Sequence, residues 1–427
     1  MRDLLIVGIF VVFISQAFSR PYVGAYLWAW FAFMNPQRLS WGFAYSLPFS
    51  QIIALVTFLS LFISRERKQN VWSAQTVILL LLVIWICITT IFAANPEGAQ
   101  KELTRYLKIQ VFIFITIAVI TDKEKLKNLI WVIVLSIGFF SVKGGLFTIL
   151  TGGSFRVWGP DDSFISGNNE MALAMLITLP LMYYLYLQEN KIWIKRALLV
   201  STFLTTAAVL GSQSRGAFLG ILCIGVFFWW KSPNKFGPTL IIAAVALLIV
   251  LFMPQSWWDR MNTVESYEED ESAMQRINAW TFAWNVANDR FFGGGANMHT
   301  RAMYAIYAPN PNWVYDMHSI YFQILGNQGW VGFSLFMLLG ISTWLRCAWI
   351  VRHSRGDPDK RWATDLGLML QVSLIGYAAA GAFLSLAYFD YPYYLIAMSV
   401  IAGKLIQQPN DGMAPRQMNK RTDRTTK

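Results

Sequence analysis

The chain of 427 residues is 56% hydrophobic and only 14% charged, with a formal net charge of +11; its mean hydropathy is +0.43. A soluble domain is usually about a quarter charged. This composition therefore excludes an ordinary soluble fold. The many apolar runs, each about as long as a bilayer core is thick, read as an all-α polytopic integral membrane protein.

The chain opens on "MRDLLIVGIFVVFISQAFSR", which has a charged start and an apolar run but no small-residue cleavage site. A second apolar segment follows at once, so a cleaved signal peptide is not expected. Residues 4–36 form either one helix or a pair of short ones. Further apolar helices are expected at about 48–64, 72–93, 106–121, 129–150, 169–187, 194–211, 217–230, 238–253, 319–350, 365–387 and 391–406. Helices are the only spans that satisfy their own backbone inside lipid over runs of this length.

The loops "SRERKQN", "TDKEKLK", "QENKIWIKR", "KSPNK" and "RHSRGDPDKR", with the tail from Lys404, fall on alternate sides of successive spans. They hold 21 of the 35 Lys and Arg. That side should be cytoplasmic, and the positive charge is then a topology signal, not a nucleic-acid footprint. Twelve spans are favoured, with thirteen as the alternative. The organisation expected is N-terminal spans over 1–253, a long periplasmic loop with amphipathic helices over 254–317, C-terminal spans over 318–406, and a polar, basic, disordered tail over 407–427. Long loops of this kind are usually functional. The three cysteines, Cys87, Cys223 and Cys347, lie in apolar runs without a close pair, which argues against a disulfide or a thiol-bound metal.

Four constellations carry possible chemistry. "GSQSRGAFLG" (211–220) sets Arg215 at the outer end of one span and the start of the next. Small residues around it let a ligand approach, and a guanidinium can hold phosphate bidentately; an arginine at a helix end can equally snorkel. "SAMQRINAWTFAWNVANDRFFGGGANM" (272–298) places Ile277, Trp280, Phe282 and Trp284 near helical spacing. It suggests an amphipathic helix on the membrane surface, with Arg276 one turn before Trp280. Its glycine run should form a loop of exposed backbone N–H groups. "NPNWVYDMHSIYFQILGNQGW" (310–330) puts His318 where polar sequence gives way to apolar. An imidazole there can take a proton from a hydroxyl, or serve only as a hydrogen-bonding residue at a helix start. Asp316 and Asp390 are candidate orienters. "SGNNEMALAM" (166–175) opens a helix with Asn168, Asn169 and Glu170, residues suited to capping or to sugar hydroxyls. No nucleotide motif and no His/Cys ligand spacing is present, so neither a cofactor nor a metal is expected. The acidic run "ESYEEDE" reads as a solvated surface.

Taken together, "SQSRGAFLG", the long loop with "QRINAWTFAW" and "GGGANM", and "HSIYFQILGNQGWVGF" resemble the O-antigen ligase/polymerase superfamily. The stretch "RPYVGAYLWAWFAFMNPQRLSWGFAYSLPF" resembles the start of O-antigen-ligase-like proteins, including exosortase-associated O-glycosylation ligases. The resemblance implies a metal-independent, inverting glycosyltransferase of the bacterial inner membrane that works on its periplasmic face. The glycan donor is linked to undecaprenyl pyrophosphate, and the acceptor of a ligase is a sugar hydroxyl of lipid A–core. Polymerases use another glycan, and protein-directed relatives use a hydroxyl side chain. The family's arginine before a span, its loop arginine and its histidine after the loop match Arg215, Arg276 and His318. Asp390 is a further match. "GNNEMA" departs from the Asn-Pro-Asn of many relatives. A transporter of lipid-linked glycan is the reading from another class.

Overall fold

A computed structural model describes residues 2–231, 271–408 and, between these stretches, only 235–236, 239–240, 243 and 246–247. The described residues form α-helices and short 3₁₀ turns, without a strand. In chain order the α-helices are α1 (Arg2–Ala17), α2 (Pro21–Met34), α3 (Phe49–Ile63), α4 (Ala74–Ile91), α5 (Pro96–Val119), α6 (Lys123–Leu150) and α7 (Asn168–Gln188). After these come α8 (Ile192–Gly211), α9 (Arg215–Lys231), α10 (Glu271–Asp289), α11 (Arg301–Tyr307), α12 (Ile320–Ser354), α13 (Arg361–Gly381) and α14 (Asp390–Leu405). The helix expected at 238–253, the acidic run "ESYEEDE" up to residue 270, and the tail from 409 lie outside the described residues.

Six of the described helices, α4, α6, α7, α8, α12 and α13 with its 3₁₀ lead-in, are long and apolar enough to cross a membrane. Local sequence starts several of them. Ser73 and Thr76 form a reciprocal capping box at α4. Pro96 follows Asn95, whose side chain accepts from Gly98 N–H at 3.2 Å, so α5 begins ten residues before the apolar run. The Asp122 carboxylate accepts from Lys125 N–H at 2.8 Å to open α6. Residues 4–36 make two helices, not one, because Ser19 and Arg20 break the run and Pro21 starts afresh.

The two ends of the bundle differ in character. At one end the basic loops meet. Gln69 donates to the carbonyls of Ile117 and Ile120, Lys125 pairs with Glu66 at 3.0 Å and Lys127 with Glu189 at 3.7 Å. Gln188 donates to Asp365 at 2.9 Å, and Lys404 reaches the Asn70 carbonyl. At the opposite end lie residues 36–46, 92–95, 151–166, 211–214, 290–297 and 382–389. They are tied by Arg38–Asp162 at 3.1 Å, Gln213 to the Gly153 carbonyl at 3.0 Å, and Arg290 to the Phe92 carbonyl at 2.8 Å. Asp3 accepts from Ala44 N–H at 3.0 Å, so α1 starts at this opposite end too. The core is built around α7 and α14, whose side chains are buried almost without interruption.

Candidate functional site

Arg215 is the first residue of α9 and is half-buried. The turn before it carries Gln213 in a left-handed conformation (φ 56°). Asn168 braces that turn by donating from Nδ2 to the Ser212 carbonyl at 2.8 Å. Ser214 Oγ accepts from Ala217 N–H at 3.3 Å, an N-cap that fixes where α9 begins. Asn168 is therefore the first residue of α7 and a brace for the Arg215 turn; it does not cap its own helix, whose N-cap position is Gly167. Asn169 follows it, half-buried. Gly216 lies against α13: a Cβ there would sit 3.2 Å from the Ala380 carbonyl and 3.3 Å from Phe383 Cβ.

Arg276, half-buried, lies on α10 one turn before Trp280, so the two share a face. Trp280 stacks on Phe322 (centroids 5.1 Å, planes 8°) and approaches Phe383 at 6.4 Å. Its Nε1–H donates to the Met317 carbonyl at 2.8 Å, directly before His318. His318 is half-buried and holds φ 44°. A non-glycine residue in that region is strained by roughly 1–3 kcal/mol, although histidine tolerates it better than most. Ile320, the first residue of α12, packs against Gly381 at the end of α13. Phe383 and Trp280 thus form a junction that joins the starts of α9 and α12 to the Arg276 face of α10. Both α9 and α12 direct their N-terminal, positive dipole ends to this corner.

The loop before His318 has its own small core. Phe282 stacks on Tyr304 at 4.0 Å, with Met298, Met303 and Met317 buried beside them. Asn278 exchanges hydrogen bonds with Asn310, at 2.8 and 3.0 Å, and also donates to the Trp313 carbonyl at 3.2 Å. Burial pushes the Tyr304 hydroxyl up to about 12. It therefore stays protonated and donates to the Tyr315 carbonyl at 2.6 Å.

Three expectations change. First, the apolar stripe of α10 is not one open face. Ile277 and Trp284 are exposed, but Phe282 is fully buried and Trp280 faces the junction. Second, the glycine run does not offer open N–H groups. Gly293 N–H donates to the Arg290 carbonyl, Gly294 N–H to Gly326 at 2.8 Å and Gly295 N–H to Asn327 at 2.9 Å. The Gly326 and Asn327 carbonyls are freed where α12 kinks at Gly329 (φ 64°, ψ −173°). The run is a staple, and Gly293 is required for it: a Cβ there would meet Gly329 N at 2.6 Å and the Gly326 carbonyl at 2.7 Å. Third, the Asp316 carboxylate accepts from Met317 N–H at 2.8 Å, so it orders the backbone before His318 in place of the imidazole.

Asp390 is buried at the start of α14, where it interacts electrostatically with Arg105. Arg105 escaped the sequence reading because it precedes the apolar run of α5. Its guanidinium carbon lies 3.4 Å from the Phe164 ring centroid. The Asn95–Pro96 cap would have placed it inside a helix. In the sequence Trp280 is one member of an apolar stripe, and Phe383 belongs to no motif.

Two family models match parts of the chain. Residues 1–190 match a family of unknown function (DUF5935). No curated protein matches the chain. Residues 200–337, which hold Arg215, Arg276, His318 and the α12 kink, match the O-antigen ligase family, and over this part the chain is similar to the O-antigen ligase-like superfamily.

Proposed function

We propose that the chain is an O-antigen ligase, which moves a glycan en bloc from undecaprenyl pyrophosphate to a sugar hydroxyl of lipid A–core at the periplasmic face of the bacterial inner membrane. The basic end would then be cytoplasmic, in keeping with the positive-inside rule. With residues 238–253 crossing as the sequence expects, the α1–α2 pair makes thirteen passages, and Asp3 lies on the periplasmic side. The observation that carries this reading is the Phe383–Trp280 junction, which draws together the segments bearing Arg215, Arg276 and His318.

In the proposed reaction the two guanidinium groups and the dipole ends of α9 and α12 hold the pyrophosphate. His318 accepts the proton of the attacking hydroxyl. The oxygen of that hydroxyl bonds to the anomeric carbon as the bond from that carbon to the phosphate oxygen breaks. The electron pair leaves with undecaprenyl pyrophosphate and the anomeric centre inverts. Asp390, buried beside Arg105, would shape the wall of the site, and Asn168, with Asn169 next to it in the chain, braces the Arg215 turn.

Purified protein with lipid-linked glycan and a lipid A–core acceptor tests the reading. His318→Ala and Arg215→Ala should abolish transfer while the melting temperature holds. Near-normal transfer in both removes the assignment. Product analysis decides the acceptor class: lengthened undecaprenyl-linked chains identify a polymerase, and glycan on a hydroxyl side chain identifies a protein-directed transferase.

A further inference from the structure

At the basic end, away from the proposed reaction site, Arg346 sits on α12 two turns before its last residue, Ser354. Its guanidinium lies flat on the α14 backbone at Gly403, where a Cβ would come within 2.5 Å of Nη2 and 2.6 Å of Cζ. On its other side it reaches the Trp349 ring at 4.8 Å. The buried Nε has no hydrogen-bond partner. The next residue of α14 after Gly403 is Lys404, close enough to Arg346 for the two charges to repel. Its Nζ reaches only a backbone carbonyl, that of Asn70.

Neither cation has a carboxylate among the described residues. The acids that pair at this end pair elsewhere, Glu66 and Asp122 with Lys125, Glu189 with Lys127 and Asp357 with Lys360. Two like charges at a helix–helix seam near the bilayer are costly unless an anion joins them. The surroundings say what kind of anion. Leu338, Ile341 and Leu345 make an exposed apolar strip along α12, ending beside Arg346. Trp72 is exposed close to Asn70. An anion seated here has hydrocarbon on one side and the basic loop 64–73 on the other.

We propose that Arg346 and Lys404 bind the phosphate of an anionic glycerophospholipid, with its acyl chains along the Leu338–Leu345 strip. Basic pockets between helices on the positive side of a membrane are suited to such headgroups. Gly403 is part of the site, because only a residue without a side chain lets the guanidinium lie on α14. The Trp349 ring holds the other face by a cation–π contact.

The test is lipid binding by the full-length protein in detergent, measured by native mass spectrometry with phosphatidylglycerol, phosphatidylcholine and inorganic phosphate as separate probes. Phosphatidylglycerol should bind about tenfold more weakly to Arg346→Gln and to Lys404→Gln, the effect of losing one charge-assisted hydrogen bond. Arg346→Lys should retain most binding, Gly403→Ala should lose it with both charges intact, and phosphatidylcholine should be indifferent to all of them. Equal phosphatidylglycerol binding in wild type and an Arg346→Gln/Lys404→Gln double variant overturns the proposal. Displacement of the lipid by an equal concentration of inorganic phosphate overturns its lipid specificity. If Arg346→Gln fails to fold, Lys404→Gln, at the helix end, gives the same reading. Glycan transfer should persist in all these variants, so the outcome is independent of the proposed reaction.

Discussion

Trp280→Phe separates the positioning of His318 from its chemistry. The variant keeps an aromatic ring to stack on Phe322 and approach Phe383, and it deletes one bond, from Nε1–H to the Met317 carbonyl at 2.8 Å. A hydrogen bond of this kind contributes about 0.5–1.5 kcal/mol net. The left-handed backbone at His318, φ 44°, stores roughly 1–3 kcal/mol. The restraint and the strain are of similar size, so without the bond residues 317–318 relax toward an extended backbone and the imidazole leaves its position. At about 1.4 kcal/mol per factor of ten, kcat/KM for glycan transfer should fall about two- to tenfold. The melting temperature should drop by only a few degrees, because the buried area changes little. The assay is transfer to a soluble acceptor by purified enzyme, with a thermal melt of the same sample. Unchanged kcat/KM at a lowered melting temperature would show that the Trp280 bond supports the fold and not the histidine.

Other substitutions probe the same corner. His318→Gly should raise the melting temperature by relieving the left-handed strain while abolishing transfer; a fall in both would mean that the imidazole is structural. Asn168→Ala removes the brace on the Ser212 carbonyl; it should raise KM for the lipid-linked donor severalfold with a smaller change in kcat, since it loosens the turn that presents Arg215. Gly293→Ala forces a Cβ against Gly329 N and the Gly326 carbonyl at a φ of 69°; it should destabilise by about 2–4 kcal/mol, strain and overpacking together, read as a lowered melting temperature. A melting temperature equal to that of the wild type would show that the staple between the glycine run and the α12 kink does not hold the loop.

Most helices were legible because a bilayer leaves no other economical structure for twenty apolar residues, and the ends of α3, α4, α7 and α8 fall within two residues of expectation. The start of α5 was not, because its first turns carry Glu97, Lys101, Glu102 and Arg105 and resemble a loop when hydropathy alone is read. The glycine run was misjudged for a non-local reason. Its donors are visible at 293–295, but the acceptors of Gly294 and Gly295 are free only because α12 breaks at Gly329, more than thirty residues on. Residue types nominated Arg215, Arg276 and His318 singly. What brings their segments together is Phe383, a plain aromatic in a short turn whose importance is purely spatial.

The two ends of the bundle use positive charge in different ways, and the difference bears on function. At the basic end, Arg65, Arg67, Lys68, Arg352 and Arg355 are exposed. Exposed charges are screened and interchangeable; they orient the chain in a membrane and individually do little. At the opposite end Arg215 and Arg276 are half-buried and widely separated in sequence. Each is held by a particular device: a capped turn braced by Asn168, and a helix docked through Trp280. Burying a guanidinium at a helix start is unfavourable unless something anionic recurs there. Under the proposed function, a donor with a pyrophosphate head and a polyprenyl tail would present its charge to those helix starts, beside His318. On this view the boundary position of the histidine follows from the amphiphilic shape of what the protein handles, and Arg346 with Lys404 repeats the arrangement in the other leaflet for a smaller lipid.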